Sequence, residues 1–222
     1  MKKILLIILL LLVTFFIYKT TNKSNYNYTT IGDNLNIFNW NNKYNYNDYL
    51  KDYLTNNNLL NNYNGDFARS TFHITDIINF INNNKKIKDL TINQILNKTD
   101  ILTISIGSNE LYYQLDNVKN PTIYIDNILQ DMNILFNRID KYNYKQVFIL
   151  GYYCTNELYQ EDINYTNNIL KNISNKYKFT FINTDEIYQK MAKSTSDFLD
   201  FNHLTSFHQQ ISQIIIDNLR NN

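Results

Sequence analysis

With 222 residues, of which 44% are hydrophobic and 18% charged, the chain is long enough for one well-buried domain and too short for two comfortable ones. Its 21 basic and 20 acidic side chains leave a formal net charge of +1, and with Lys spread along the chain there is no basic stripe to track a phosphate backbone, so no nucleic-acid partner is expected. Cys154 is the single cysteine, which excludes an intramolecular disulfide and a cysteine-based metal site.

The chain opens on "MKK" followed by an apolar run from Ile4 to Tyr18 broken only by Thr14. A basic start and a short apolar core describe an export signal, but no small-x-small cleavage site follows. Residues 1–19 therefore read as an uncleaved signal anchor, with a cleaved signal peptide as the alternative. The run is short for a span of about 20 residues, which tilting or local thinning accommodates. Lys2 and Lys3 favour a cytoplasmic N-terminus. The expectation is a single-pass membrane protein with its domain outside, or else a secreted one. Residues 20–27, "TTNKSNYN", are polar and read as a tether.

From residue 28 to 222 strands and helices alternate. "YTTI" before Gly32 reads as a first strand, and "YNDYLKDYLTNNNLL" as a helix with Tyr49, Leu50, Tyr53 and Leu54 on one face. A short stretch around Phe67-Ala68 reads as the second strand, and "ITDIINFINNN" as the second helix. "DILTISI" is an apolar, β-branched run of the kind buried on both faces of a parallel sheet. "YIDNILQDMNILFNRIDKY" is an amphipathic helix, "QVFILGYY" a buried strand, "INYTNNILKNISNKY" a helix and "FTFINT" the last strand. "SFHQQISQIIIDNL" closes the chain as a helix. This alternation predicts an α/β fold, a three-layer α/β/α sandwich around a parallel sheet, behind the N-terminal hydrophobic helix. Gly numbers 4 and Pro 1, so Asn supplies many turns, because it tolerates left-handed backbone. Tyr, Asn, Ile and Lys all have A/T-rich codons, and their heavy use marks an AT-rich genome.

In such sheets ligands bind at the carboxyl ends of the strands. The residues there are Gly32-Asp33-Asn34, Ala68 to Phe72, Gly107-Ser108-Asn109-Glu110 and Gly151 onwards, joined by the loop "DFNH" before the last helix. Asp200 and His203 stand three apart, so the carboxylate is able to hold the imidazole tautomer that presents a basic nitrogen. Asn109 follows a strand and a Gly, where its amide is placed to donate to a developing oxyanion. His73 and His208 have no Cys or His partners at metal spacing and read as helix-surface or loop histidines; no metal or cofactor is expected. Cys154 reads as a small, partly buried apolar residue. Trp40 either lines the cleft rim or packs against the tether, and Tyr152 and Tyr153 stand at a strand end where they are able to line a pocket.

Three stretches, "IGDNL" (31–35), "SIGSNEL" (105–111) and "DFNHLT" (200–205), together resemble the blocks of the SGNH hydrolases, also called the GDSL-like lipase and esterase family. Block order and spacing agree from residue 28 to about 216. The resemblance implies a nucleophile at position 34, an oxyanion hole built from the backbone N–H at 34, a Gly N–H and the Asn109 side chain, and an Asp200–His203 pair. "DFARSTFHITDI" is similar to the family's second block, with Phe67, Ala68, Ser70 and Asp76 in register. Two positions depart from the pattern. Asn34 replaces the nucleophilic serine, and a carboxamide has no proton whose removal yields an alkoxide or thiolate. Thr71 replaces the oxyanion glycine, and a β-branched residue resists glycine-only backbone conformations. Glu110 stands where the family usually has Asp. Ser70 and Ser108, in neighbouring loops, are the candidates for a substitute nucleophile. The implied partners are a small-molecule, lipid or glycan ester ligand, and the membrane through the N-terminal helix. The implied function is a hydrolase fold degenerate at its nucleophile that binds an acyl or glycan ligand. The alternative is an active esterase on lipid or cell-envelope esters.

Overall fold

The computed structural model describes residues 25–33, 35, 44–192 and 201–221. The signal-anchor expectation, residues 20–24 of the expected tether, and the expectations for Asn34, Trp40 and Asp200 lie outside the described residues, whereas Tyr26 and Asn27, expected to end the tether, already belong to the first strand. Among the described residues no helix is long and apolar enough to cross a membrane.

Five strands, β1 (Tyr26–Gly32), β2 (Leu60–Ala68), β5 (Ile101–Ser105), β6 (Gln146–Leu150) and β7 (Thr180–Ile182), form one sheet in the order β2-β1-β5-β6-β7. Every pairing in it is parallel. A small antiparallel hairpin, β3 (Lys86–Ile87) and β4 (Leu90–Thr91), stands apart. The strand order reverses direction between β1 and β5, which makes their carboxyl ends the switch point where a crevice opens. Gly32 pairs with both Ala68 and Ser105, so the ends of three strands meet there.

Alternation along the strands sends side chains to two cores. On one face Ile31, Leu102 and Ile104 pack with α2 (Ile74–Asn82), α5 (Thr122–Ile139) and α6 (Gln160–Lys176) through Ile77, Phe136 and Leu170. On the other, Tyr28, Ile101 and Phe148 pack with α1 (Tyr46–Asn56), α7 (Thr184–Ala192) and α8 (Phe201–Asn221) through Leu50, Leu54, Tyr188 and Ile211. Two short helices, α3 (Ile92–Leu96) and α4 (Ser108–Asn117), complete the chain. The three-layer α/β/α sandwich expected from the strand–helix alternation is the observed architecture.

The boundaries differ from the sequence reading where local chemistry intervenes. The first helix stops at Asn56 because Asn57 caps it and Asn58 turns left-handed at φ 54°, a conformation Asn tolerates. Leu60, expected in that helix, begins β2 instead. That strand is also longer than the Phe67-Ala68 segment, because it pairs along β1 from Leu60 to Ala68 and packs Tyr63 against Tyr28. Helix α7 follows the last strand, and α8 starts at Phe201, so it takes in His203, expected in a loop.

Candidate functional site

The end of β1 is tied to both neighbours. The Asp33 N–H donates to the Ser105 carbonyl at 2.9 Å, and the Arg69 N–H donates to the Gly32 carbonyl at 2.9 Å. These bonds bring three strand-end loops together around Asp33, which has no exposed surface. Its Oδ2 accepts the Ser108 N–H at 2.7 Å, at the start of α4, where backbone donors and the helix dipole favour a carboxylate. Burial wins nonetheless and pushes the carboxyl from its ordinary 3.8 up to about 6, against the pull of the Ser108 hydrogen bonding. The buried Ser108 hydroxyl faces the same carboxyl and pulls its pKa down alongside the N–H.

Gly107 makes this turn from strand into helix. It holds φ +100° as the N-cap of α4, and an added Cβ would overlap the Tyr152 hydroxyl and stand 3.0 Å from Ile74 Cδ1. Gly107→Ala therefore meets both a left-handed backbone and a steric barrier, and is expected to destabilise the protein by about 2 kcal/mol or more. Urea unfolding of the variant checks this; a loss under about 0.5 kcal/mol would mean that the turn relaxes freely.

Asn109 and Glu110 brace the second loop. Asn109 Nδ2 donates to the carbonyls of Ser70 at 2.7 Å and Phe72 at 3.2 Å. Glu110 Oε1 accepts the Ile74 N–H at 2.8 Å, at the start of α2, and lies 3.4 Å from His73 Nδ1. His73 is the N-cap residue of α2, and its N–H donates to Asp76 at 2.9 Å. Thr71 sits in the turn between these anchors, exposed and outside the left-handed region. Ser70 is exposed in the same turn.

Beside Asp33 and Ser108 a cavity of about 420 Å³ opens over the ends of β5 and β6, walled by Tyr112, Tyr152 and Tyr153 and reaching Asp116 at its far side. The loop after β6 is held rigidly. The Asn167 side chain accepts the Tyr152 N–H at 2.9 Å and donates to the Tyr152 carbonyl at 2.8 Å. Tyr152 Oη donates to the Ile106 carbonyl at 2.9 Å, Tyr112 Oη donates to the Tyr153 carbonyl, and the Cys154 N–H donates to Asp185 at 2.8 Å. Tyr159 donates to Asp116 at 2.9 Å. Among the described residues no group of three or more His, Cys, Asp or Glu side chains converges to hold a metal.

The fold has solved counterparts. Axe2, an acetylxylan esterase from Geobacillus stearothermophilus, superposes with a TM-score of 0.67 and 15% identity over 87% of this chain and 94% of that one. A variant of that enzyme, described as an acetyl-xylooligosaccharide esterase, gives 0.65 at 15% identity over the same shares. TesA gives 0.63 at 8% identity, over 88% of this chain and 98% of that one. No protein-family model and no curated relative matches the sequence. The chain has the SGNH-hydrolase fold.

Within the SGNH fold, the sequence-derived site residues are distributed unevenly. Asn109 and Thr71 stand in adjacent loops at the switch point, Asn109 through its bonds to the 70–72 turn. Asn34 and Asp200 lie outside the described residues, and so does the side chain of His203, whose backbone is in the first turn of α8. Tyr152 and Tyr153 line the cavity as the sequence suggested. Cys154 is buried, as expected, and its thiol donates to the Asn156 carbonyl at 2.8 Å. His208 corrects the sequence reading. It is 2% exposed in the core, its ring stacked on Tyr46 at 6.4 Å, and burial holds its pKa down to about 4. The helix carries Phe207, Ile211 and Ile215 on the same inward face, which drags His208 in with them. The sequence placed Asp33 at the strand-end edge without giving it a role, and Tyr112 was not singled out as a cavity residue. For Asp33 a signal was present, a lone acid directly after an apolar strand at the switch point.

Proposed function

We propose that this SGNH-fold chain is an extracytoplasmic protein, anchored through its N-terminal segment, that binds an acyl or glycan ester ligand in the strand-end cleft and has lost serine-type hydrolysis. The observation that carries the reading is Asn34. It directly follows Gly32-Asp33, whose backbone is pinned between Arg69 and Ser105, at the position where the fold's nucleophile belongs. A carboxamide there supplies no nucleophile for His203 to activate. Asp200 and His203 keep the acid–base pair of such a cleft, whereas the amide of Asn109 gives its protons to the carbonyls of Ser70 and Phe72 and so braces a loop where the resemblance implied an oxyanion donor. An acetyl-xylooligosaccharide esterase among the fold's members supports an acylated glycan as ligand.

A second reading, an active esterase with a substitute nucleophile, is favoured by one observation. Of the two candidate serines, Ser70 is exposed in a turn, whereas the Ser108 hydroxyl is on the cavity wall facing the Asp33 carboxyl, a group able to take its proton.

Aryl-acetate hydrolysis by the full-length chain separates the two. The wild type is expected to be inert and Asn34→Ser to gain at least about 100-fold in rate, a gain that His203→Ala removes. Hydrolysis by the wild type that Ser108→Ala abolishes would overturn the first reading in favour of the second.

A further inference from the structure

All five sheet strands run parallel, so the molecule has two unlike ends. The cleft lies over the carboxyl ends of the strands, and the loops that enter the strands gather at the amino edge. Charge divides between the two. Each crossover helix runs back against the strands, which places its first turn beside the cleft and its last turn towards the amino edge. Acidic residues stand in the first turns of five helices, among them Asp76, Glu110 and Asp185. Basic residues stand in last turns, with Lys176 ending α6 and Arg220 ending α8. Each sign complements the helix dipole next to it.

The amino-edge loops add Lys98 before β5, Lys141 and Lys145 before β6, and Lys178 before β7, and all six of these basic residues are exposed. Lysines far apart along the sequence are thus brought onto one face. The acidic residues described beside them are Asp100, 3.5 Å from Lys145, Asp217, 3.9 Å from Arg220, and Asp140. Among the described residues no carboxylate pairs with Lys98, Lys141, Lys176 or Lys178. The face therefore carries an excess of positive charge on a chain whose formal net charge is only +1.

The chain preceding β1 says what this face meets. Tyr26 opens β1 at the same edge, its ring 4.7 Å from Lys145 Nζ. Residues 19–25 separate it from the apolar run that ends at Tyr18, a reach of at most about 25 Å. An anchored chain holds its domain within that distance of the bilayer. Lysines within a Debye length of an anionic leaflet are drawn onto it, and the acidic turns at the other end are repelled.

We propose that the amino edge of the sheet docks on anionic phospholipid headgroups of the membrane that holds the anchor, through Lys98, Lys141, Lys176 and Lys178, and so turns the cleft away from that bilayer. With 7 residues in β1, the cleft opens roughly 23 Å above the docked face, and its ligand approaches from the side away from the lipid. The inference rests on the anchored reading of the N-terminal segment and adds an orientation to it.

Energy transfer to acceptor-labelled lipid tests this with the full-length protein in phosphatidylcholine vesicles, with and without phosphatidylglycerol. One donor fluorophore is placed at the amino edge through Asn143→Cys and another at the cleft end through Leu158→Cys, both exposed positions, while native Cys154 is buried. With phosphatidylglycerol, transfer from position 143 is expected to exceed that from position 158. Raising NaCl from about 0.1 to about 1 M shortens screening from about 10 to about 3 Å and is expected to abolish the difference. The triple variant Lys98→Glu/Lys141→Glu/Lys178→Glu, made at exposed positions, is expected to lose it at low salt. Equal transfer from the two labels, the same difference in phosphatidylcholine alone, or a difference that the triple variant keeps would each overturn the proposal. Lysine-dependent binding of duplex DNA in preference to the anionic vesicles would also overturn it. Flotation separates the two readings. A chain that fails to float with neutral vesicles removes the anchored reading, whereas a chain that floats with them but shows no lysine-dependent orientation removes this inference alone.

Discussion

Asp33→Asn is expected to turn a nearly flat stability profile between pH 4 and 6.5 into one that falls steeply on acidification. Two buried groups oppose each other in that window. Burial raises Asp33 from 3.8 to about 6, so the native state holds this proton more tightly than the unfolded chain does. As pH rises from about 4 to 6 the unfolded state loses the proton first, and stability falls by about 3 kcal/mol, at 1.36 kcal/mol per pKa unit. Burial lowers His208 from 6.5 to about 4, which has the opposite consequence. As pH falls through that range the unfolded chain gains a proton that the native core refuses, and stability drops by about 3 kcal/mol. In the wild type the two slopes largely cancel. The amide introduced by Asp33→Asn keeps an oxygen for the Ser108 N–H and removes one titration, leaving the His208 slope exposed. Above pH 6 the variant is expected to be the more stable protein, by up to about 3 kcal/mol. Urea midpoints measured at unit steps from pH 4 to 8 read both effects. Superimposable profiles for the two proteins would show that Asp33 does not titrate abnormally.

Removing the Asn167 side chain is expected to cost more than an ordinary buried polar substitution. Its amide gives and takes a hydrogen bond with the backbone of Tyr152, at 2.9 and 2.8 Å, acting as a strand partner where the sheet has ended. Asn167→Ala leaves a buried N–H and a buried C=O unpaired at once, for a loss of about 2–5 kcal/mol at about 1–3 kcal/mol each. Gly151 is part of the same construction, since a Cβ there would stand 2.8 Å from Asn167 Oδ1 and 2.8 Å from Phe181 Cζ. Asn167→Leu would fill the volume but leave the same two groups orphaned, so it should not rescue. Denaturant unfolding of the pair checks this: recovery in Asn167→Leu would mean that volume matters there and the hydrogen bonds do not.

Much of the architecture was written in local periodicity. The apolar, β-branched runs "DILTISI" and "QVFILGYY" became β5 and β6, since a strand covered on both faces has no polar side to show. The long amphipathic stretches became α5 and α6 for the complementary reason, one apolar stripe against the sheet. Local patterning failed where the deciding partner was remote. β2 carries the polar stretch "NNYNG", beyond the Phe67-Ala68 segment read as strand, yet it pairs along β1, so backbone bonding overrides composition. His208 looked like a surface residue until α8 packed its Phe207–Ile211–Ile215 face against the sheet.

The candidate site divides along the same line. By itself the sequence determined the residue types at each strand end, Asn at 34, Thr at 71 and Asn at 109, because identity at a position needs no coordinates. It also determined the order of the five sheet strands and of the longer amphipathic helices, because hydrophobic period is a local property, whereas α3, α4, α7 and the small hairpin are too short for that period to show. Only the tertiary structure decided that Asp33 and Ser108, separated by 75 positions in the chain, share one hydrogen bond and one cavity. The physical reason is that burial and polar satisfaction belong to the packed assembly. A carboxyl acquires a raised pKa only when other segments close over it.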